Sequence, residues 1–144
     1  MAEKMSTGLC NYLLDTGSLK ALYSGTTARI RIYSGAVPAT ADAAATGLIA
    51  TVAEAGAALN FAASASGGTI AKGATAWTDP SATGGTAAFY RLVLTADDDS
   101  SSATFKRIQG TVGVGGSDMN VGSTTITAAS TFTVNTFTQS IVPS

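Results

Sequence analysis

Three consecutive carboxylates, Asp97-Asp98-Asp99, form the densest cluster of possible metal ligands in the chain. A calcium loop spreads its oxygen ligands over alternating positions and closes on a glutamate. Three adjacent aspartates cannot all turn toward one ion, so the cluster reads as a solvated strand turn. Glutamate is scarce, with Glu3 and Glu54 alone, and histidine is absent. A Ser-His-Asp triad therefore lacks its base, and a zinc site lacks enough ligands. Paired catalytic carboxylates would have to converge in space, which spacing does not reveal. Cys10 is the single cysteine. It has no disulfide partner and no histidine to activate it, and beside Leu9, Tyr12 and Leu13 it is expected as a buried structural thiol. Gly113-Val114-Gly115-Gly116 lacks the following Lys-Ser/Thr of a phosphate loop. Arg29 and Arg31 with Tyr33 make a basic-aromatic stripe of the kind used on single-stranded nucleic acid. Without wider basic support they read as a solvated or subunit-facing strand surface. Trp77, Tyr33 and Tyr90 could offer stacking faces to sugars, although a sole tryptophan is more often a core anchor. These residue types predict no catalytic residue, no cofactor and no metal.

Composition points the same way. Hydrophobic residues make up 45% of the chain but aromatics only 7%, and the charged fraction is 12% with a net charge of -1. That charged fraction is about half the usual value for a soluble domain. A nucleic-acid partner demands a basic face that is missing here. Weak charge also leaves little repulsion between copies. Small residues pack thin layers, so a modest core helped by self-association is expected. At 144 residues the chain has the length of one domain. No apolar run approaches the roughly 18 residues of a membrane span, and the first residues lack a signal peptide's pattern. A soluble protein made in a cytoplasm, with no membrane partner, is the expectation.

The elements that must position these residues are short. Leu9, Tyr12, Leu13, Leu19, Leu22 and Tyr23 recur at near-helical spacing. They predict one or two short helices between Thr7 and Tyr23, with Ser18 capping the second. Residues 28–33 alternate, with Ala28, Ile30 and Ile32 facing one way and Arg29, Arg31 and Tyr33 the other; this is a half-buried strand. Residues 36–47, with Pro38, are a loop. Strands are expected at residues 48–52 and 59–62, and a hairpin turn at Gly67-Gly68. A long strand over residues 86–95 carries apolar groups on both faces, as a central strand does, and residues 103–112 pair back with it. Final strands lie near residues 123–128 and 131–137, with a phase slip before Phe137 that suggests a bulge near Asn135. About eight short strands separated by regular turns predict an all-β, jelly-roll-like antiparallel β-sandwich. It is read as one domain, with residues 1–27 a helical segment and 28–144 the sandwich.

Ser18-Leu19-Lys20-Ala21-Leu22-Tyr23, the stretch from Ala28 to Gly35 ending in Ile32-Tyr33-Ser34-Gly35, the run from Val37-Pro38 to Asp42-Ala43-Ala44, and Thr46-Gly47-Leu48-Ile49-Ala50 together resemble small tailed-bacteriophage structural proteins. The likeness covers about the first third of the chain. In size and β pattern the chain is similar to jelly-roll cement, or decoration, proteins of phage capsids. The resemblance implies a non-enzymatic virion component on the capsid surface, assembled in a bacterial cytoplasm. Its implied partners are the major capsid protein and further copies of itself, as a homodimer or homotrimer. A tail- or fibre-associated protein is the alternative, and a carbohydrate- or receptor-binding sandwich the next. Apolar residues outside the expected strand core are the candidate partner contacts: Leu9, Leu13, Leu19, Leu22, Tyr23, Val37 and Pro38.

Overall fold

The computed structural model describes residues 3–15 and 17–141. The element order is β1 (Lys4–Met5), α1 (Thr7–Asp15), α2 (Leu19–Tyr23), β2 (Ala28–Tyr33), β3 (Leu48–Val52), β4 (Thr69–Ala71), β5 (Trp77–Asp79), β6 (Gly85–Thr86), β7 (Phe89–Leu94), β8 (Ile108–Gly113), β9 (Met119–Asn120), β10 (Thr125–Ile126), β11 (Phe132–Val134) and β12 (Thr138–Ser140). The fold is all-β and sandwich-like, with two short helices at the start.

One sheet runs β1-β8-β7-β2-β3 with antiparallel neighbours, and β9 adds to β8 in parallel. The remaining strands form three antiparallel pairs, β10 with β6, β11 with β5, and β12 with β4. Alternation sets the two faces of the main sheet. Ile30 lies opposite Leu92 and Ile32 opposite Tyr90. This face packs on Trp77, Phe61, Val134 and Phe137, delivered by the paired strands. Trp77 has no exposed surface. Phe61 meets it edge-on at 5.3 Å between centroids, and Phe137 lies at 5.6 Å. Its indole N–H donates to Asn60 Oδ1 at 3.2 Å.

The helices come from local signals. Ser18 accepts from the Ala21 N–H at 3.2 Å, so the expected cap is present. Ser6 Oγ accepts from the Leu9 N–H at the start of α1, while Asp42 receives the Thr7 N–H at 3.0 Å. Leu9, Leu19 and Tyr23 project into the main core. Cys10 lies on the other side of α1 and is exposed, correcting the expected buried thiol. The nine-residue helix buries only its Leu9 stripe, and Cys10 is about 100° away from it.

The Gly67-Gly68 turn is present. Both glycines have positive φ (58° and 76°), and Ser66 and Thr69 exchange backbone hydrogen bonds across them, as a two-residue hairpin requires. The phase slip at Asn135 has a different cause from a bulge: β11 ends at Val134 and pairs with β5, then β12 begins at Thr138 and pairs with β4. Phe137 changes parity because the chain changes partner strand.

Candidate functional site

The second face of the main sheet is where the polar residues gather. Arg31 lies directly opposite Arg91, and Arg91 directly opposite Gln109, making one row across β2, β7 and β8. Like charges placed opposite each other destabilise a sheet unless something intervenes. Two loops do so. Arg107, just before β8, grips Asp97 through two hydrogen bonds, Nε to Oδ2 at 2.5 Å and Nη2 to Oδ1 at 2.7 Å. Arg31 pairs with Asp99 at 2.9 Å and donates to the Asp97 carbonyl at 2.8 Å. The Tyr33 hydroxyl also donates to Asp99, at 2.6 Å. The aspartate cluster is thus no solvated turn. Asp97 is 4% exposed and Arg107 0%, and only Asp98 stays outside, accepting from Ser100.

Residues 36–47 form a strap across this polar row, and the sheet holds it by its backbone. Gln109 Nε2 donates to the Pro38 carbonyl at 2.8 Å, Arg107 Nη1 to the Ala41 carbonyl at 3.2 Å, and Arg91 Nη2 to the Ala43 carbonyl at 2.7 Å. The strap is also laced to the acidic turn, by Ala45 N–H to the Asp99 carbonyl and Ser102 N–H to the Asp42 carbonyl. Lys4 reaches the Ala39 carbonyl at 2.6 Å, and Asp42 caps α1, so the helical segment and the strap are one unit. Tyr33, on the same face, is fully buried and stacked on Phe89 at 4.6 Å. Of the expected solvated or subunit-facing surface, Tyr33 is buried and Arg31 is held by the acidic turn, while Arg29 stays half-buried and donates to the Thr26 and Ala28 carbonyls.

The electrostatics follow from burial and pairing. Burial works against the charge of Arg31, but Asp99 outweighs it and the pKa is raised. The same balance, with Asp97 as the partner, raises Arg107. For Arg91 burial and the neighbouring Arg107 both act against the charge, and its pKa is lowered. Among the described residues it has no carboxylate partner; its Nε and Nη2 share Gln109 Oε1, and its Nη1 meets no acceptor there. An arginine stays protonated regardless. Burial chiefly, and then the bond to Asp99, push the Tyr33 phenol well above its usual value. A group so held neither delivers nor accepts a proton near neutrality. The arrangement clamps a loop.

Of the candidate partner contacts, Leu9, Leu19 and Tyr23 lie inside the core, while Leu13 and Leu22 are partly buried against it. Val37 and Pro38 are half-buried in the strap. The large apolar side chains that stand in solvent are others: Leu14 at 85% exposure, Val114 at 70%, Ile141 at 56% and Leu48 at 42%. Leu14 sits one turn beyond Cys10 on the outer face of α1. Helical spacing alone held the signal for it, since Leu9 and Leu14 are 500° apart and cannot share one face.

The surface also carries hollows. One of about 330 Å³ is lined by Ser123, Thr125, Thr127, Ser130, Asn135 and neighbours without a charged side chain. Another of about 290 Å³ lies between α2 and the β4–β12 pair, lined by Leu19, Ile70 and Ile141, with Lys20 at its edge engaged by the Ala63 carbonyl. Among the described residues no group of three metal-ligating side chains converges, and no helix is long and apolar enough to cross a membrane. No protein-family model, no curated protein and no solved structure matches the chain.

Proposed function

We propose that this chain is a non-enzymatic structural protein of a tailed-bacteriophage virion, a decoration protein that binds the outer capsid surface and stabilises the head. The reading rests on the sequence likeness of its first third. One structural observation supports it: the buried polar side chains of the main sheet are engaged in holding loops. Arg31, Arg91, Arg107, Asp97, Asp99 and Tyr33 fix the strap and the acidic turn. Isolated apolar side chains such as Leu14 and Leu48 stand outside on a surface with few charges. A rigid, weakly charged surface suits docking on a repeating protein shell, where many modest contacts multiply. The major capsid protein and neighbouring copies of this chain are the proposed partners.

A tail or fibre position is the second reading, and the same surface serves it. Sugar binding is disfavoured by a specific observation: Trp77, Tyr33 and Tyr90 are all fully buried, so none offers a ring face. The deciding experiment is co-sedimentation of the purified protein with capsids and with tails separated from virions that carry it. Pelleting with capsids supports the decoration reading, pelleting with tails alone replaces it with the second, and pelleting with neither removes both.

A further inference from the structure

The outer edges of the main sheet are closed. On the β3 side the Thr51 N–H donates to Asp79 Oδ2 at 2.8 Å, and the Ile49 carbonyl accepts from the Thr83 N–H at 2.8 Å. On the β8 side the Thr111 N–H donates to Asp118 Oδ2 at 2.8 Å, between the short additions β1 and β9. The edge of β10 is closed by a single side chain: Ser123 Oγ accepts from the Thr125 N–H at 3.1 Å and donates to the Thr125 carbonyl at 3.3 Å. Charged groups, short strands and side-chain caps are how a fold keeps its strand edges from pairing with other chains.

β12 has no such cover among the described residues. It pairs with β4 along one side. The Phe137 carbonyl accepts from the Lys72 N–H at 2.8 Å, and the Ile141 N–H donates to the Gly68 carbonyl at 2.8 Å. Alternation then turns the backbone N–H and C=O groups of Thr138 and Ser140 to the opposite side. Among the described residues one group approaches them, Gln139 Nε2 at 3.5 Å from the Ser140 carbonyl, longer than an ordinary hydrogen bond. Thr138 is exposed, Ser140 half-buried, and Ile141, just past the strand, is 56% exposed. No charged side chain occurs in residues 119–144. Glu3, which reaches this strand, is occupied by the Tyr90 hydroxyl and Gln139 Nε2, and Lys72 by the Gly73 and Thr75 carbonyls.

We infer that the outer edge of β12 is a self-association site, where β12 of a second copy adds antiparallel about a two-fold axis at Gln139. This names the surface for the self-association in the proposed function, and it rests on that reading for its place on a virion. An antiparallel edge is complementary to its own image. Thr138 faces the second copy's Ser140, Ser140 faces the second copy's Thr138, and each pair exchanges both backbone hydrogen bonds. The same register sets the exposed Ile141 opposite the second copy's Phe137, so each isoleucine gains an apolar neighbour. A second copy is favoured over a charged partner segment because the strand has no charge to complement one and none to repel its own image. A two-fold pair uses both edges, so association stops at the dimer.

The test is sedimentation equilibrium of the purified full chain over a concentration series, with hydrogen exchange read at single amides on the same samples and no capsids or tails present. A reversible monomer–dimer equilibrium is expected. Protection of the Thr138 and Ser140 amides should rise at least ~10-fold from the monomeric to the dimeric range, while the Thr51 amide, sealed by Asp79, stays within ~2-fold. Thr138→Pro removes an outward N–H and spares the ladder to β4, and Thr138→Lys keeps the backbone but adds an edge charge. Each should weaken dimerisation at least ~10-fold. A chain that stays monomeric up to about 1 mM, an assembly other than a dimer, or a dimer that both substitutions leave unchanged overturns the inference. So does a dimer whose Thr138 and Ser140 amides gain no protection, a result read on the unmutated chain and independent of how the variants fold. Capsid binding is decided by co-sedimentation alone, so the two readings fail separately.

Discussion

Asp97 and Arg107 are the pair on which the polar side of the molecule depends. Each is almost wholly removed from water, and they share two hydrogen bonds of 2.5 and 2.7 Å. Removing one partner leaves a buried charge without compensation, which costs about 3–5 kcal/mol. Asp97→Ala should therefore lower the unfolding free energy by roughly that amount in urea titrations. The double variant Asp97→Leu with Arg107→Met should recover at least half of the loss, since two apolar side chains leave no orphaned charge. Trp77 gives a second residue-scale check. With no exposed surface and rings on two sides, its fluorescence should be quenched by acrylamide several-fold less than free tryptophan; ready quenching would restore a stacking face for sugars. Little of this was legible beforehand. Three aspartates in a row carry the local chemistry of a turn, and nothing nearby in sequence says that Arg31, 66 positions from Asp97, lies against it. Trp77 was legible because a lone, large apolar ring has few places to go except the core.

At the scale of elements, local pattern was a good guide where one face meets the core and a poor one where pairing is distant. Residues 28–33 and 48–52 were read as strands and are β2 and β3, because their alternation or β-branched content is set by the sheet itself. β7 was expected to be central and covered on both sides; it lies between β2 and β8 with five of its six residues buried. β1, β9 and β12 were not anticipated. Each has only two or three residues, too few for a period to register, and β1 and β12 are strands only because distant partners accept them. The strap was read as a loop, which it is, but its attachment is written in β7 and β8. Its two ends are joined by the Ser34 N–H to the Gly47 carbonyl at 2.8 Å. Gly47 has φ +79°, and a Cβ there would approach the Gly35 nitrogen to 2.8 Å and Ser34 Oγ to 2.9 Å. Gly47→Ala should cost about 1–3 kcal/mol and open the strap. Faster hydrogen exchange at Ala43 and Ala45, with the β12 amides unchanged, would report that opening. Equal protection across the strap in variant and wild type would show that its closure does not depend on this turn.

For the whole molecule the relevant quantities are charge and exposed apolar surface. A net charge of -1 offers no long-range steering toward a partner. On the proposed decoration role, attachment to a shell comes from short-range burial around side chains such as Leu14, which is 85% exposed on the outer face of α1. Two consequences separate this mode from an electrostatic one. Raising salt from about 0.1 M to about 1 M shortens the screening length from ~10 Å to ~3 Å, yet should change capsid occupancy less than twofold, because burial of apolar area is not screened. Leu14→Glu should leave the unfolding free energy within about 0.5 kcal/mol of wild type, since the side chain makes little contact within its own chain. The same substitution should lower occupancy at least ~10-fold, because forcing a carboxylate against apolar surface costs more than the 1.4 kcal/mol that a factor of ten represents. Quantitative sedimentation over a concentration series measures both effects on one preparation. If occupancy collapses with salt and ignores Leu14→Glu, the outer face of α1 is not the docking surface. Contact would then have to lie on a part of the surface where the few charged residues dominate.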